Sequence, residues 1–273
     1  MSPAAAWTII RISIAERLVY RGDFALSTLM RFLPIVTQVF LWAAVFSALD
    51  AAGRPAEVAG FSYHEMIGYY LLTMVARAFS SMPGLASGIA RDIRTGAVNK
   101  YLIQPVDMLQ YLLLHRMAHK LVYYSVAFVP FALVFLLCRG FFPGWPEPET
   151  LCAFATSLFM AFLLGFVLES TLGMIGFWFL EVSSLLFVYM LFAFFFSGHM
   201  FPIDMLPKGV AAIVRLLPLQ YLAYFPAAVF LGKVSGLELW RSLAVEAAWI
   251  VFFAIAGRIA FARGVRRYSG YGG

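Results

Sequence analysis

The run from residue 150 to residue 197 constrains the fold most strongly, because only Glu169 and Glu181 are charged within it. A single helix of that length would measure about 70 Å, more than twice the hydrocarbon core of a membrane. The run must therefore hold two membrane spans, and we expect the turn between them at Gly173–Gly176. The whole chain is 63% hydrophobic and 12% charged. Soluble domains contain far fewer apolar residues, so we predict an all-α membrane protein.

Six membrane spans, grouped in one transmembrane domain at 1–273, account for nearly the whole sequence. The apolar runs place them at about residues 25–48, 66–82, 117–138, 151–172, 177–197 and 241–262. Before the first span, the apolar residues of 1–24 alternate with basic ones, which predicts an amphipathic helix lying on the membrane surface. A plain basic leader beside the first span is the alternative interpretation of these residues.

The distribution of Lys and Arg predicts the orientation of the spans. An even number of spans places both termini on one side of the membrane. Thirteen of the twenty Lys and Arg residues fall on the side of the termini and six on the other, with Arg77 inside a span. Because basic residues are enriched on the cytoplasmic side, we expect both termini there. This bias accounts for the net charge of +6, and no nucleic-acid partner is expected.

The stretch 84–107, between the second and third spans, predicts a short helix with one apolar and one basic face. Its apolar positions recur every four residues and are Leu85, Ile89 and Ile93. Its charged positions fall off that stripe and are Arg91, Asp92 and Arg94. Gly96 stands where the C-terminus of a helix favours a left-handed residue. A docking surface is one interpretation, and an ordinary basic cytoplasmic loop is the other.

Residues 197–240 are apolar but too interrupted by proline and glycine to cross a membrane. Apolar backbone that does not span is tolerated at membrane depth where it is buried in protein. We therefore expect a re-entrant helical pair on the outer face, anchored by Tyr221 and Tyr224 at the headgroup level. The residues predicted to form a gate there are Ser197, Gly198, Pro202, Pro207, Pro218 and Tyr221.

Charged residues within membrane spans are costly and are therefore candidates for function. We take Arg77, Glu169 and Glu181, which lie at or near the spans, as the candidates. Both glutamates lie near the predicted turn between spans four and five. Either they pair with Arg77 or they reach water at the membrane interface.

The sequence contains no strong catalytic or metal-binding motif. His115 and His119 are four residues apart, but basic residues flank them and no third ligand is near, so no metal site is expected. None of the four Lys residues is followed by Ser or Thr, so the chain lacks a P-loop. Cys138 and Cys152 flank a predicted external loop, and either a disulfide or two separate thiols fits that position.

Three groups of residues, taken in their order and membrane setting, resemble the permease subunits of ABC-2 type ABC exporters, in particular a bacterial branch. The first is Ile-Arg-Thr-Gly-Ala-Val at 93–98 with Tyr-Leu-Ile-Gln-Pro-Val at 101–106. The second is Phe-Ser-Gly at 196–198, Phe-Pro-Ile at 201–203 and Leu-Pro at 206–207. The third is Leu-Pro at 217–218 with Tyr221, Pro226 and Gly232. The six-span layout extends the resemblance over nearly the whole chain.

The resemblance implies a permease of the bacterial inner membrane that works as a homo- or heterodimer with two cytoplasmic ATPase subunits. ATP and Mg²⁺ would be bound by those partners, so this chain would be neither an enzyme nor the holder of a cofactor. The stretch around Arg91, Asp92, Arg94 and Gly96 would be the coupling helix that docks on the ATPase. Aromatic residues of the fifth span either line the substrate route or face lipid, and they are Phe187, Tyr189, Phe192, Phe194, Phe195 and Phe196.

Two other classes of function remain open from the residues alone. A secondary transporter would need coupling charges near the middle of the membrane, where Arg77 is the candidate. A membrane assembly or anchoring subunit without transport activity would need neither the docking stretch nor the re-entrant pair.

The predicted topology is testable by cysteine labelling with an impermeant reagent in intact cells, after both native cysteines are replaced by Ala. Single cysteines at position 54 or 145 should be labelled, because both positions lie in predicted external loops. Cysteines at position 94 or 267 should not be labelled until the membrane is permeabilised. Labelling of position 94 from outside would contradict the six-span arrangement.

Overall fold

Helices form the regular structure throughout the residues described by the computed structural model, which are 3–18, 21–142, 144–179 and 181–268. Side chains are not described at 17–18, 21–29 and 31. Extended pairing within this part of the chain is limited to an isolated bridge between Val58 and Phe61. The predicted all-α class is therefore confirmed.

The described residues form eleven α-helices, joined by loops and short 3-10 turns. In chain order, α1 to α11 are Pro3–Leu18, Arg21–Ala51, Tyr63–Ser80, Leu85–Arg94, Asn99–Ile103, Met108–Leu137, Pro148–Met174, Ser183–Phe196, Lys208–Leu216, Tyr224–Phe230 and Gly236–Arg267. The 3-10 turns are Arg139–Phe141, Ile175–Phe177, Ile203–Met205 and Pro218–Leu222. Four helices are long and apolar enough to cross a membrane, with candidate spans at Phe32–Ala51, Met108–Leu137, Pro148–Phe177 and Gly236–Arg267.

The helices divide into two compact units, and the first comprises the described residues of 1–71 and 101–145. Within it, α1 and α2 both pack against α6. The Ser13 hydroxyl lies 3.0 Å from Nδ1 of His115, and the rings of Phe32 and Phe131 meet edge to face at 4.9 Å. The carboxylate of Asp107 starts α6 by accepting a hydrogen bond of 2.8 Å from the backbone N–H of Gln110, which satisfies one of the free donors of the first turn.

The second unit comprises the described residues of 72–100 and 146–268, and α7 is its central helix. Helices α4, α10 and α11 all pack against α7. The buried residues of this core come from α7, α8, the 3-10 turn Pro218–Leu222, α10 and α11. They include Leu164, Leu168, Ala193, Leu219, Tyr221, Leu222, Phe225, Val229, Leu239 and Leu243.

Glycines on α7 and α11 allow unusually close packing in the second unit. A Cβ at Gly165 would collide with the backbone carbonyl of Ser80, and one at Gly257 would lie 2.9 Å from the hydroxyl of Thr171. The Ser80 hydroxyl, which is buried, donates a 2.7 Å hydrogen bond to the carbonyl of Leu222. Where lipid removes most of the hydrophobic drive between helices, close packing at small residues and hydrogen bonds provides the association energy.

The turn predicted at Gly173–Gly176 lies a few residues early, because the helical path extends to Phe177. Helix α7 continues through Gly173 to Met174, the chain then passes through the turn Ile175–Phe177, and α8 begins only at Ser183. Neither glycine has a positive φ. Both glycines instead lie under α4, as described below.

Several boundaries differ from the predicted spans. Within the predicted surface helix at 1–24, α1 covers Pro3–Leu18 and α2 begins at Arg21, and residues 1–2 and 19–20 lie outside the described residues. Apolar and polar residues are mixed around α1, so the helix lacks the separate apolar face that was predicted. The spans predicted at 66–82 and 177–197 correspond to α3 and to the shorter apolar helix α8, and the six-span arrangement stays a prediction.

Candidate functional site

The predicted docking stretch forms α4, and its two ends are set by glycine. Gly84 precedes the helix with φ 71°, and Gly96 follows its C-terminal residues with φ 80°. A positive φ is strained for residues with a Cβ, so both positions favour glycine. The left-handed residue predicted at Gly96 is confirmed.

The apolar face of α4 is buried against the end of α7. Leu85, Ile89 and Ile93 are 2–3% exposed, as the four-residue spacing predicted. A Cβ at Gly173 would lie 2.8 Å from Cβ of Ile89, and one at Gly176 would lie 3.0 Å from Cα of Ala90. The two glycines therefore allow the backbones of the two segments to approach more closely than any larger residue would.

The C-terminal end of α11 also holds α4 in place. The Tyr268 hydroxyl donates a 3.1 Å hydrogen bond to the carbonyl of Ile93, which lies in the last turn of α4 and also accepts a bond from the backbone N–H of Gly96. The ring of Tyr268 meets the ring of Phe177 edge to face at 5.8 Å. Gly264 lies directly against the same Phe177 ring, so that a Cβ there would overlap it.

The opposite face of α4 carries its charged residues to the surface. Arg91 and Arg94 are exposed, and Arg94 forms an ion pair with Glu181 at 3.3 Å. Asp92 pairs with Lys100 at 3.2 Å. Both pairs are largely solvated, so they contribute little to stability and leave the basic face open to a partner.

A shallow cleft lies between α4 and the beginning of α8. Its lining residues are Ser87, Ala90, Arg91, Arg94, Glu181, Val182, Ser183 and Leu186. Hydrogen bonds from Ser183 and, less strongly, the charge of Arg94 hold the pKa of the Glu181 carboxyl below its usual value. The carboxylate consequently stays ionised beside the basic face, where its ion pair is with Arg94, a partner that the sequence interpretation did not consider.

Arg77 and Glu169 act on a common neighbour. The charges of both residues act electrostatically on the hydroxyl of Tyr189, which is half-buried on α8. Tyr189 packs against the core of the second unit. The structure therefore brings together two of the three candidate charges and one of the candidate pathway residues.

The other aromatic residues predicted for the pathway remain on the surface of α8. Four of them are 41–56% exposed: Phe187, Phe192, Phe194 and Phe195. Phe196 is half-buried and meets Phe192 at a ring distance of 5.4 Å. Both interpretations of these residues, as pathway lining or as lipid-facing surface, stay open.

The segment between α8 and α11 is broken into short helices, as predicted, and a set of hydrogen bonds holds it together. The carbonyl of Ser197 accepts a 2.8 Å bond from the backbone N–H of Tyr224. The Tyr224 hydroxyl donates to Asp204 at 2.7 Å, and Arg215 pairs with the same carboxylate at 2.5 Å. The sequence interpretation did not include Asp204, which joins three pieces of the segment.

The candidate gate residues lie at the junctions of that segment. Gly198 has φ 79°, which only glycine adopts without strain. Ser197, Gly198, Pro202, Pro218 and Tyr221 are buried, and Pro207 is exposed. Tyr221 and Tyr224 are 3% and 6% exposed. Their burial in the core contradicts the predicted role as headgroup anchors.

Glu246 on α11 is a second residue that the sequence interpretation missed. Its side chain is 0% exposed, and neither carboxyl oxygen has a hydrogen-bond partner among the described residues. A lone acidic residue inside an otherwise apolar run, as at residues 242–257, was the available signal.

Comparison with known proteins identifies one family. The sequence model of the ABC-2 family transporter proteins matches residues 32–272, which includes α4, α7, α11 and the broken segment. No curated protein matches the chain.

The contact of α4 with α7 predicts the effect of adding a methyl group at Gly173. In Gly173→Ala the new Cβ meets the backbone of Ala86 at 2.9 Å as well as Ile89, so α4 must move away. Overpacking of this kind costs about 1–3 kcal/mol. Hydrogen–deuterium exchange of the amides at 85–94 should become faster.

Gly88→Ala is the matched control, because Gly88 is on α4 itself and a Cβ there meets nothing within 4 Å. Alanine favours a helix over glycine, so exchange at 85–94 should stay equal or become slower. Equal exchange in the two variants would show that α4 does not depend on the glycine contact.

Proposed function

The chain belongs to the ABC-2 family of transporter proteins, and on this premise we propose that it is the permease subunit of an ATP-driven exporter. In this proposal it forms the translocation pathway with a second permease subunit, identical or different, in a bacterial inner membrane. A separate cytoplasmic ATPase dimer binds ATP and Mg²⁺. The six spans and the cytoplasmic position of both termini belong to the same proposal.

The observation that carries the proposal is the construction of α4. A basic loop that served only to orient the chain would need charge but no fixed structure. Here the apolar face is buried, the backbone is held against α7 at Gly173 and Gly176, and both arginines face outward. A rigid support under an exposed basic face is what a docking surface for a partner protein requires.

The contacts of α4 also suggest how movement of an ATPase would reach the membrane. Helix α4 touches α7 through Ile89 and touches the end of α11 through the Ile93 carbonyl. Closure of the ATPase dimer on ATP would displace α4, and both long helices would follow because packed interiors transmit strain rather than absorb it. Opening of the broken segment at Ser197, Gly198 and Tyr221 would then release substrate outward.

A secondary transporter is the second candidate, and the neighbourhood of Tyr189 is the observation that favours it. Arg77 and Glu169 both act on this side chain, and charges inside a membrane protein often mark ion pathways. Such a transporter would work without an ATPase. Purified chain that moved its substrate in vesicles lacking ATP and any partner would favour this candidate.

Charge reversal on α4 tests the proposed docking. The variant Arg91→Glu with Arg94→Glu should reach the membrane at normal levels, because both side chains are exposed and support no buried contact. It should lose most of the P-loop ATPase that co-purifies with the wild-type chain from native membranes. Mass spectrometry and Mg²⁺-dependent ATP hydrolysis in the eluate measure the partner.

Two controls separate docking from other effects of charge. Arg54→Glu with Lys208→Glu makes the same change of charge at exposed positions outside α4 and should keep the partner. Glu181→Gln removes the ion pair with Arg94 but leaves both arginines, and it should keep the partner too. Retention of the ATPase by the Arg91 and Arg94 double variant would refute the docking role of this face.

A further inference from the structure

Glu246 is a titratable group that the proposed coupling mechanism does not use. It lies about 15 Å along α11 from Gly236, within a helix that is long and apolar enough to span a membrane. Its side chain is fully buried, and both carboxyl oxygens lack a hydrogen-bond partner in the described part of the chain. Buried polar groups nearly always have partners, so this carboxyl requires an explanation.

The surroundings of Glu246 are apolar on most sides. Leu243, one turn earlier, belongs to the core of the second unit, and Trp249 and Ile250, one turn later, pack against that core. Glu246 therefore lies on the face of α11 that meets the core. From α7 and α10 this core receives apolar side chains: Leu164, Leu168, Phe225 and Val229.

Among the described residues, other elements bring two tyrosines to this core. Tyr221, from the 3-10 turn Pro218–Leu222, interacts electrostatically with Glu246. Tyr189, from α8, packs against the same core and is itself acted on by Glu169 and Arg77. No cation of the described residues forms an ion pair with Glu246.

An ionised carboxylate does not fit the apolar surroundings of Glu246. It would present two oxygens that accept hydrogen bonds only, in surroundings where the described residues supply no donor to either of them. Burial of an unpaired charge is so unfavourable that such a group takes up a proton instead. The neutral acid fits, because it carries no net charge and needs no counter-ion.

We propose that Glu246 is a proton-binding site, occluded when the turn Pro218–Leu222 packs over α11 and opened to water when that turn separates. In the occluded state the proton is bound to the carboxyl. On separation the O–H bond breaks, the proton passes to water, and the carboxylate becomes hydrated. This inference goes beyond the proposed function and rests on α11 and its neighbours alone.

The balance between the occluded and the open state depends on pH. The occluded state holds one proton that the open state loses. Between the pH at which the exposed carboxyl ionises and the pH at which the buried one does, each unit rise in pH therefore favours opening about tenfold. Low pH stabilises the occluded state, and this preference is lost as pH rises.

Infrared spectroscopy of the full chain in lipid nanodiscs tests for the bound proton directly. At about pH 7, where an exposed glutamate with a pKa of about 4.3 is ionised, the wild type should show the carbonyl band of a protonated carboxylic acid. Glu246→Gln should lose this band. Glu238→Gln, which alters an exposed glutamate on the same helix, should keep it. Indistinguishable spectra of wild type and Glu246→Gln would overturn the proposal.

A second measurement tests occlusion. On transfer of the wild type to D₂O, the acid band should shift slowly, because exchange of the carboxyl proton requires separation of the covering turn. Tyr221→Ala removes part of that cover, so its band should shift at once. A band that shifts immediately in the wild type would overturn the occlusion, whether or not Tyr221→Ala folds.

Discussion

The close approach of helix backbones along α7 is the constraint on which the second unit depends. Four close contacts along α7 occur at glycines, namely Gly165 and Gly173 on α7, Gly176 just after α7, and Gly257 on α11. Lipid is itself apolar, so moving an apolar side chain from lipid to a contact between helices gains little free energy. Helices in a membrane therefore associate where their surfaces fit closely together. The placement of α4, the position of the broken segment and the path of α11 all follow from these contacts.

Regular spacing was the part of the sequence that predicted structure well. The four-residue recurrence of Leu85, Ile89 and Ile93 identified the buried face of α4, because residues spaced in this way lie on one side of a helix. Gly96 was also predicted correctly, since the helix ends just before it. Interruption of 197–240 by proline and glycine was sufficient to predict short helices. Each of these features is determined by residues close together in the sequence.

Features that depend on distant partners were not predictable. A glycine in an apolar run can make a turn or admit another backbone, and only the position of α4 decides this for Gly173 and Gly176. Tyr221 and Tyr224 have the amphipathic side chains of headgroup anchors, yet both are buried, and the carboxylate of Asp204 supplies the partner of Tyr224. Glu246 was not predicted, because an acidic residue in an apolar run either reaches water or is buried, and only the packing around α11 decides this.

The length of α11 links the two regions of the second unit that carry its unusual groups. Tyr268, just beyond the last residue of α11, bonds to α4, and Glu246 lies about 33 Å away along the same helix beside the turn Pro218–Leu222. An α-helix resists compression along its axis because every turn is closed by hydrogen bonds. A small axial displacement at Tyr268 would therefore arrive almost undiminished at Glu246. Fusion of a bulky domain directly after Tyr268 would place a load on the end of α11 that contacts α4, so a purification tag placed there belongs behind a long flexible linker.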